Sequence, residues 1–282
     1  MKGSFPTYFT QTTQALFNTW RDTIQAGTVS NLHDWRVQMK KMKAIISFLQ
    51  WIYGKSSLGK LPNSSRELFI QAGEWRELQL LHQWLQKEKL PLASLLKCTE
   101  KDIEQAADST QNVFQKKLDD YNKQLKKTAL LVNKTHSILA DQYWLQLSTT
   151  LKKELKKGKK KDWHSTRKLC KKWLYACNWL EINSLPDKKQ IQSIIQLEKL
   201  IGHWHECIML LDRLEEITYL DKEPLETRKA LAIAIARVLK KEKAMEKKTR
   251  EQFIITAEKF YVSALPVKKS RNQKPESLIV RS

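Results

Sequence analysis

Apolar residues recur every three to four positions along almost the whole chain, and no segment sustains the two-residue alternation of a strand. Helix breakers and caps then divide this pattern into eight predicted helices. The first covers about 7–26, opened by Pro6 and closed by Gly27; the second, about 31–53, is capped by Ser30 or Asn31 and ends at Gly54. "GKSSLGKLPNSS" reads as a loop, with Ser64 or Ser65 capping a third helix to about 89, and Thr99 beginning a fourth to about 132. The fifth covers about 137–157, and Asp162 caps the sixth over about 163–182. Pro186 and Asp187 open the seventh, to about 219, and Pro224 opens the eighth, to about 263. The predicted class is all-α.

Two of these helices repeat one another. "NLHDWRVQMKKMK" in the second and "DWHSTRKLCKKWLY" in the sixth share a skeleton that begins His-x-x-Arg and continues with a basic pair. On a helix turning about 100° per residue, Arg36, Lys40 and Lys43 fall within roughly 80° of His33, opposite Trp35, Met39, Met42 and Ile46. In the second copy His164, Arg167, Lys168 and Lys171 share one face, with Lys172 at its margin and Leu169, Trp173, Ala176 and Cys177 behind. About forty residues beyond each histidine comes Gly-x-Trp-x-Glu, as Gly73, Trp75, Glu77 and as Gly202, Trp204, Glu206. Matched patterns at matched spacing predict an internal duplication, with a first repeat over about 7–133 and a second over about 137–263. Together they form a single domain over 1–265, followed at 266–282 by a basic tail expected to be disordered. Corresponding helices of a duplicated fold are related by a pseudo-twofold axis, which allows the two cationic stripes to face each other with a polyanion between them.

Any one such stripe is ordinarily a solvated helix face. Composition argues against that reading here: Lys and Arg number 51 against 30 Asp and Glu, a formal charge of +21. A solubilising face usually intermixes both signs at i, i+4, whereas these stripes contain almost no acid. The excess points to a polyanionic partner, with DNA, RNA, acidic lipid and polyphosphate all open. Hydrophobic residues are 41% of a chain with only seven Gly and seven Pro, a helix-forming globular composition. "MKGSFPTYFTQTTQ" lacks the apolar core of a signal peptide, and the longest apolar run, "ALAIAIA", is too short to cross a bilayer. A soluble, cytoplasmic protein without membrane insertion is expected. Cys98, Cys170, Cys177 and Cys207 form no Cys-x-x-Cys pair and read as small core residues.

The paired stretches resemble the two signatures of the CHAD domain, the conserved histidine α-helical domain. "HDWRVQMKKMK" is similar to the first signature, "HSTRKLCKKWLY" with Tyr175 to the second, and the Gly-x-Trp-x-Glu segments to its Gly-x-x-Arg-Asp and Gly-x-x-Asn-Asp segments. The resemblance implies two four-helix bundles around a basic central channel, and binding of inorganic polyphosphate, with association with polyphosphate granules as a corollary. The binding residues it marks are His33, Arg36, Lys40, Lys41, Lys43, Arg76, His164, Arg167, Lys168, Lys171 and Lys172. The family's usual arginine pairs stand here as Lys40–Lys41 and Lys171–Lys172, its acidic positions hold Glu77 and Glu206, and His205 replaces the Asn. Lysine keeps the charge but not the bidentate fork. Arg76 reads equally as a ligand contact or a structural residue, and Glu77 as a partner that orients basic neighbours.

Catalysis is not expected. Phosphoanhydride hydrolysis needs a metal held by carboxylates or a nucleophile with its base, and the basic faces are poor in acids. There is no Gly-rich phosphate loop and no Glu-x-Glu-x-Lys motif. In "HWHEC", His203 and His205 point about 160° apart on a helix and cannot chelate together, so no metal or cofactor is implied. The lysine run "KKELKKGKKK", 152–161, reads as a solvated helix end or as a secondary polyanion contact. Nucleic acid is the alternative or secondary ligand, although no zinc finger, helix-turn-helix or exposed aromatic platform accompanies the charge. Hydrolysis of polyphosphate ranks behind both.

Overall fold

The computed structural model describes residues 4–26, 29–54, 56–88, 93–133, 137–179, 186–218 and 225–262. Among them are eight α-helices, two short 3-10 turns and no strand. The helices are α1 (Phe5–Ala26), α2 (Val29–Tyr53), α3 (Leu61–Glu88), α4 (Ala93–Asn133), α5 (Ser137–Lys157), α6 (Trp163–Trp179), α7 (Lys188–Thr218) and α8 (Leu225–Val262). The predicted tail at 266–282 lies outside the described residues.

Several ends follow from the chemistry read in the sequence. Ser4 Oγ accepts from Thr7 N–H (3.4 Å), with Pro6 in the first turn of α1, where its missing N–H is no loss. Gly54 and Gly158 end α2 and α5 with φ of 79° and 54°, in the left-handed region where a Cβ is penalised. Asp187 Oδ1 caps α7 by accepting from Gln190 N–H at 3.0 Å. Three starts differ from expectation. α2 begins at Val29, before its predicted caps, and Asn31 instead donates to the Asp22 carbonyl of α1 at 2.9 Å. α3 begins at Leu61 because Pro62 suits a first turn better than the serines that follow, and Ser65 is buried within the helix. α4 begins at Ala93, so Thr99 is interior; its hydroxyl meets His82 Nδ1 of α3 at 2.8 Å, a tertiary bond rather than a cap.

Within the first four helices, α1 packs on α2 and α4, and α3 on α2 and α4; α5 to α8 close a second ring of four in the same order. The rings meet where α2 crosses α6, with α2 also against α5 and α3 against α7. The main core runs through both rings without a break, from Leu32, Trp35, Met39 and Phe48 to Trp163, Trp173, Ile194 and Leu197. Phe48 of α2 and Tyr143 of α5 pack across the boundary with ring centres 4.9 Å apart and planes tilted by 50°. A smaller apolar cluster joins Leu81 and Leu85 of α3 to Cys207 and Leu214 of α7 and to Leu231 of α8. Cys170 and Cys177 lie buried in the main core. The main core thus holds the two cationic helices side by side at the ring boundary.

Candidate anion-binding site

The dry faces of α2 and α6 are as the periodicity requires: Trp35, Met39, Met42 and Ile46 on one, Trp173, Ala176 and Cys177 on the other, all buried. Their basic faces turn toward each other and toward α3 and α7. Lys40 feels Lys171 and Arg167 of the opposite helix, and Lys43 feels Lys168, so the two stripes form one electrostatic cluster. Lys172 crosses the boundary outright, donating to Ser47 Oγ of α2 at 2.8 Å. Lys41 lies about 100° further round α2 than Lys40 and belongs less directly to this face.

Each arginine is seated by the glycine of the repeated segment. A Cβ on Gly73 would lie 3.3 Å from Arg36 Nη1, and one on Gly202 would lie 2.8 Å from Arg167 Nη2 and 3.2 Å from Cζ. Both glycines sit inside helices, where glycine costs about 0.5–1 kcal/mol relative to alanine, and the arginine occupies the space their missing side chain leaves. The seats differ four residues upstream. In the first half Arg36 donates to the Phe69 carbonyl (3.1 Å) and lies 4.3 Å from the centre of its ring, with Lys43 at 3.8 Å. In the second half the same position is Glu198, whose Oε1 accepts from Arg167 Nε at 2.9 Å and Lys171 Nζ at 2.7 Å. Phe69 and Glu198 are the principal site residues not named from the sequence. Lining up the repeats on Gly73 and Gly202 places them together, both one helical turn before the glycine.

Packing many cations together is costly, and the titration behaviour shows where. Burial, then Lys171, Arg36 and Arg167, hold Lys40 down to about 7, against an ordinary value of 10.5. Burial, then Arg36 and Lys168, bring Lys43 to about 8, and burial brings Arg36 to about 10 despite Glu77. Burial and then Arg76 and Lys40 lower His33. Burial, followed by Lys168 and His205, lowers His164 to about 4. At Glu198 burial acts upward, but the bonds and charges of Lys171 and Arg167 outweigh it and keep the carboxyl low. The field over this face is strongly positive and favours any group that brings negative charge.

The acidic residues of the repeated segments cross between α3 and α7. Glu77 lies 3.6 Å from Arg213, and Glu206 acts on Arg76. Arg76 Nη1 is buried with no hydrogen-bond acceptor among the described residues. His205 packs its ring against His164 at 4.8 Å, while His203 is exposed, which separates the two histidines as their spacing demands. Part of the lysine run is already paired: Lys157 with Glu154, and Lys160 with Glu242 and Glu246 of α8.

A two-ring helical body with paired His-x-x-Arg helices at its seam defines the class. The CHAD domain matches residues 7–215, and the chain belongs to that family. Among solved structures, the crystal structure of the CHAD domain from the plant Ricinus communis superposes with a TM-score of 0.71 at 14% sequence identity. The match covers 93% of this chain and 91% of that one, a likeness of fold. None of the curated proteins matches the chain. No helix of the described residues is long and apolar enough to cross a membrane.

Proposed function

We propose that the protein binds inorganic polyphosphate, without catalysis, along the basic face shared by α2 and α6. The observation that carries this reading is the convergence of Lys40 and Lys43 with Lys171, Arg167 and Lys168 of the opposite helix on one face. Lys40 and Lys43 are both held near neutrality's edge by burial and by cations of the opposite helix, and a polyanion would relieve that repulsion. Family membership supports the ligand class. A linear chain with about one charge per phosphate suits a stripe of point-charge lysines, with Arg36 and Arg167 able to take oxygen pairs. Arg76, with its unmatched Nη1, adds a further donor. The main core shared by both rings supports reading 1–265 as a single domain.

The test is calorimetric titration with long-chain polyphosphate. Changing Arg36, Lys40 and Lys43 to Ala should weaken binding by at least a hundredfold while leaving helical circular dichroism unchanged, since the stripe lies opposite the core. Engagement of about six cations gives a slope of log K against log[salt] on the order of −4. Release of orthophosphate by the purified protein, abolished by a stripe substitution, would make it an enzyme.

A further inference from the structure

The halves of the basic face are not equally available, and the cause is one position. Arg36 and Lys43 rest on the Phe69 ring, which attracts a cation without neutralising it. No ion pair to Arg36, Lys40 or Lys43 occurs among the described residues. On α6, Arg167 and Lys171 both donate to the same oxygen of Glu198, whose side chain is only 13% exposed. A carboxylate oxygen taking an arginine and a lysine together stands where a phosphate oxygen would.

We infer that Glu198 is an internal counter-anion that fills the α6 half of the face, so that an anionic ligand docks first on the α2 half and gains Arg167 and Lys171 only by displacing it. This deepens the polyphosphate reading and rests on it for the ligand. Glu198 then sets both affinity and asymmetry: the face is held below its full strength, and its two arginines contribute unequally. Lys168, exposed on α6 and without an ion pair among the described residues, remains open to ligand from the start.

The experiment is titration of wild type, Glu198→Gln and Phe69→Glu with long-chain polyphosphate at about 0.15 M salt, where the Debye length is about 8 Å and charges within the face still interact. Glu198→Gln keeps the volume and removes one negative charge; affinity should rise about tenfold, and the salt slope should steepen by roughly 1.4 as two cations become available. Phe69→Glu puts the same carboxylate in the other half and should weaken binding by about tenfold. In a double-mutant cycle Arg36→Ala should cost more than Arg167→Ala in wild type, and the two should become equal when combined with Glu198→Gln. Weaker or unchanged binding by Glu198→Gln would overturn the inference and make Glu198 a support for Arg167 instead. The cycle decides between these roles even if Phe69→Glu fails to fold. Should wild type ignore polyphosphate but bind RNA, the proposed ligand fails, and the sign of the Glu198→Gln effect on RNA decides the inference by itself.

Discussion

Lys40 offers a measurable conflict between stability and binding. Its ammonium ordinarily titrates at 10.5, and in the folded protein it does so at about 7. At about 1.4 kcal/mol per pKa unit, keeping it charged at pH 7 costs up to about 4 kcal/mol, and local relaxation and water reduce that to about 2 kcal/mol. Lys40→Met retains the stem and removes the charge, so the free protein should gain about 2 kcal/mol. For a chain of this size that is a rise in Tm of about 3–4 °C. The sign with pH is fixed by linkage. Between about 7 and 10.5 the unfolded chain holds a proton that the folded one has lost, so wild-type stability climbs with pH across that window. The advantage of Lys40→Met is therefore full below pH 7 and disappears toward pH 10.5. Thermal melts at pH 7 and pH 10, followed by circular dichroism, read both quantities, and polyphosphate affinity should fall in the same variant. An unchanged or lower Tm at pH 7 would refute the reasoning, because it would mean that the Lys40 charge is well solvated.

The other predictions concern protons, space and position. His33, Lys40, Lys43 and His164 all titrate low in the empty site, and a polyanion raises each, so binding should take up protons and affinity should rise as pH falls from about 8 to about 6. Calorimetry in buffers of different ionisation heat measures that uptake; His33→Gln with His164→Gln should reduce the slope but leave the part due to Lys40 and Lys43. Gly202→Ala should drive the Arg167 guanidinium from its seat and weaken binding about tenfold with unchanged or slightly higher Tm, whereas Gly73→Ala should do less because its clearance from Arg36 is larger. Replacing Lys156, Lys157 and Lys159 with Ala should change affinity less than threefold, since Lys156 and Lys159 are exposed at and just beyond the end of α5 and Lys157 pairs with Glu154. A larger loss there than from the α2 stripe would place the site elsewhere.

Much of this was legible from residue order because helix periodicity and repeated spacing are local properties. The opposition of apolar and basic faces on α2 and α6 follows from about 100° per residue, and the buried Trp35, Met39, Trp173 and Cys177 agree with it. Helix starts at Ala93 and Leu61 were less legible, because Thr99, Ser64 and Ser65 carry the chemistry of caps, and only tertiary contacts show Thr99 bonded to His82. The roles of Gly73 and Gly202 were visible as a motif but not as a mechanism, which needs the arginine of a different helix beside each. Phe69 and Glu198 carry no motif of their own. They acquire meaning when two turns of separate helices come within hydrogen-bonding reach of Arg36 and Arg167. The suppressed charge of Lys40 likewise depends on burial and on the opposing helix, neither of which a single stripe reveals.

The most direct measurement is a competition among polyanions on one protein preparation: long-chain polyphosphate, RNA, DNA and heparin at matched total charge and equal salt. Nucleic acid answers to the same electrostatics, so only matched conditions separate ligand class from charge. Polyphosphate should bind at least tenfold more tightly than RNA or DNA, lose its advantage when Arg36, Lys40 and Lys43 become Ala, and be recovered intact after prolonged incubation. Equal affinity for RNA, or an advantage untouched by those substitutions, would contradict a polyphosphate site between α2 and α6.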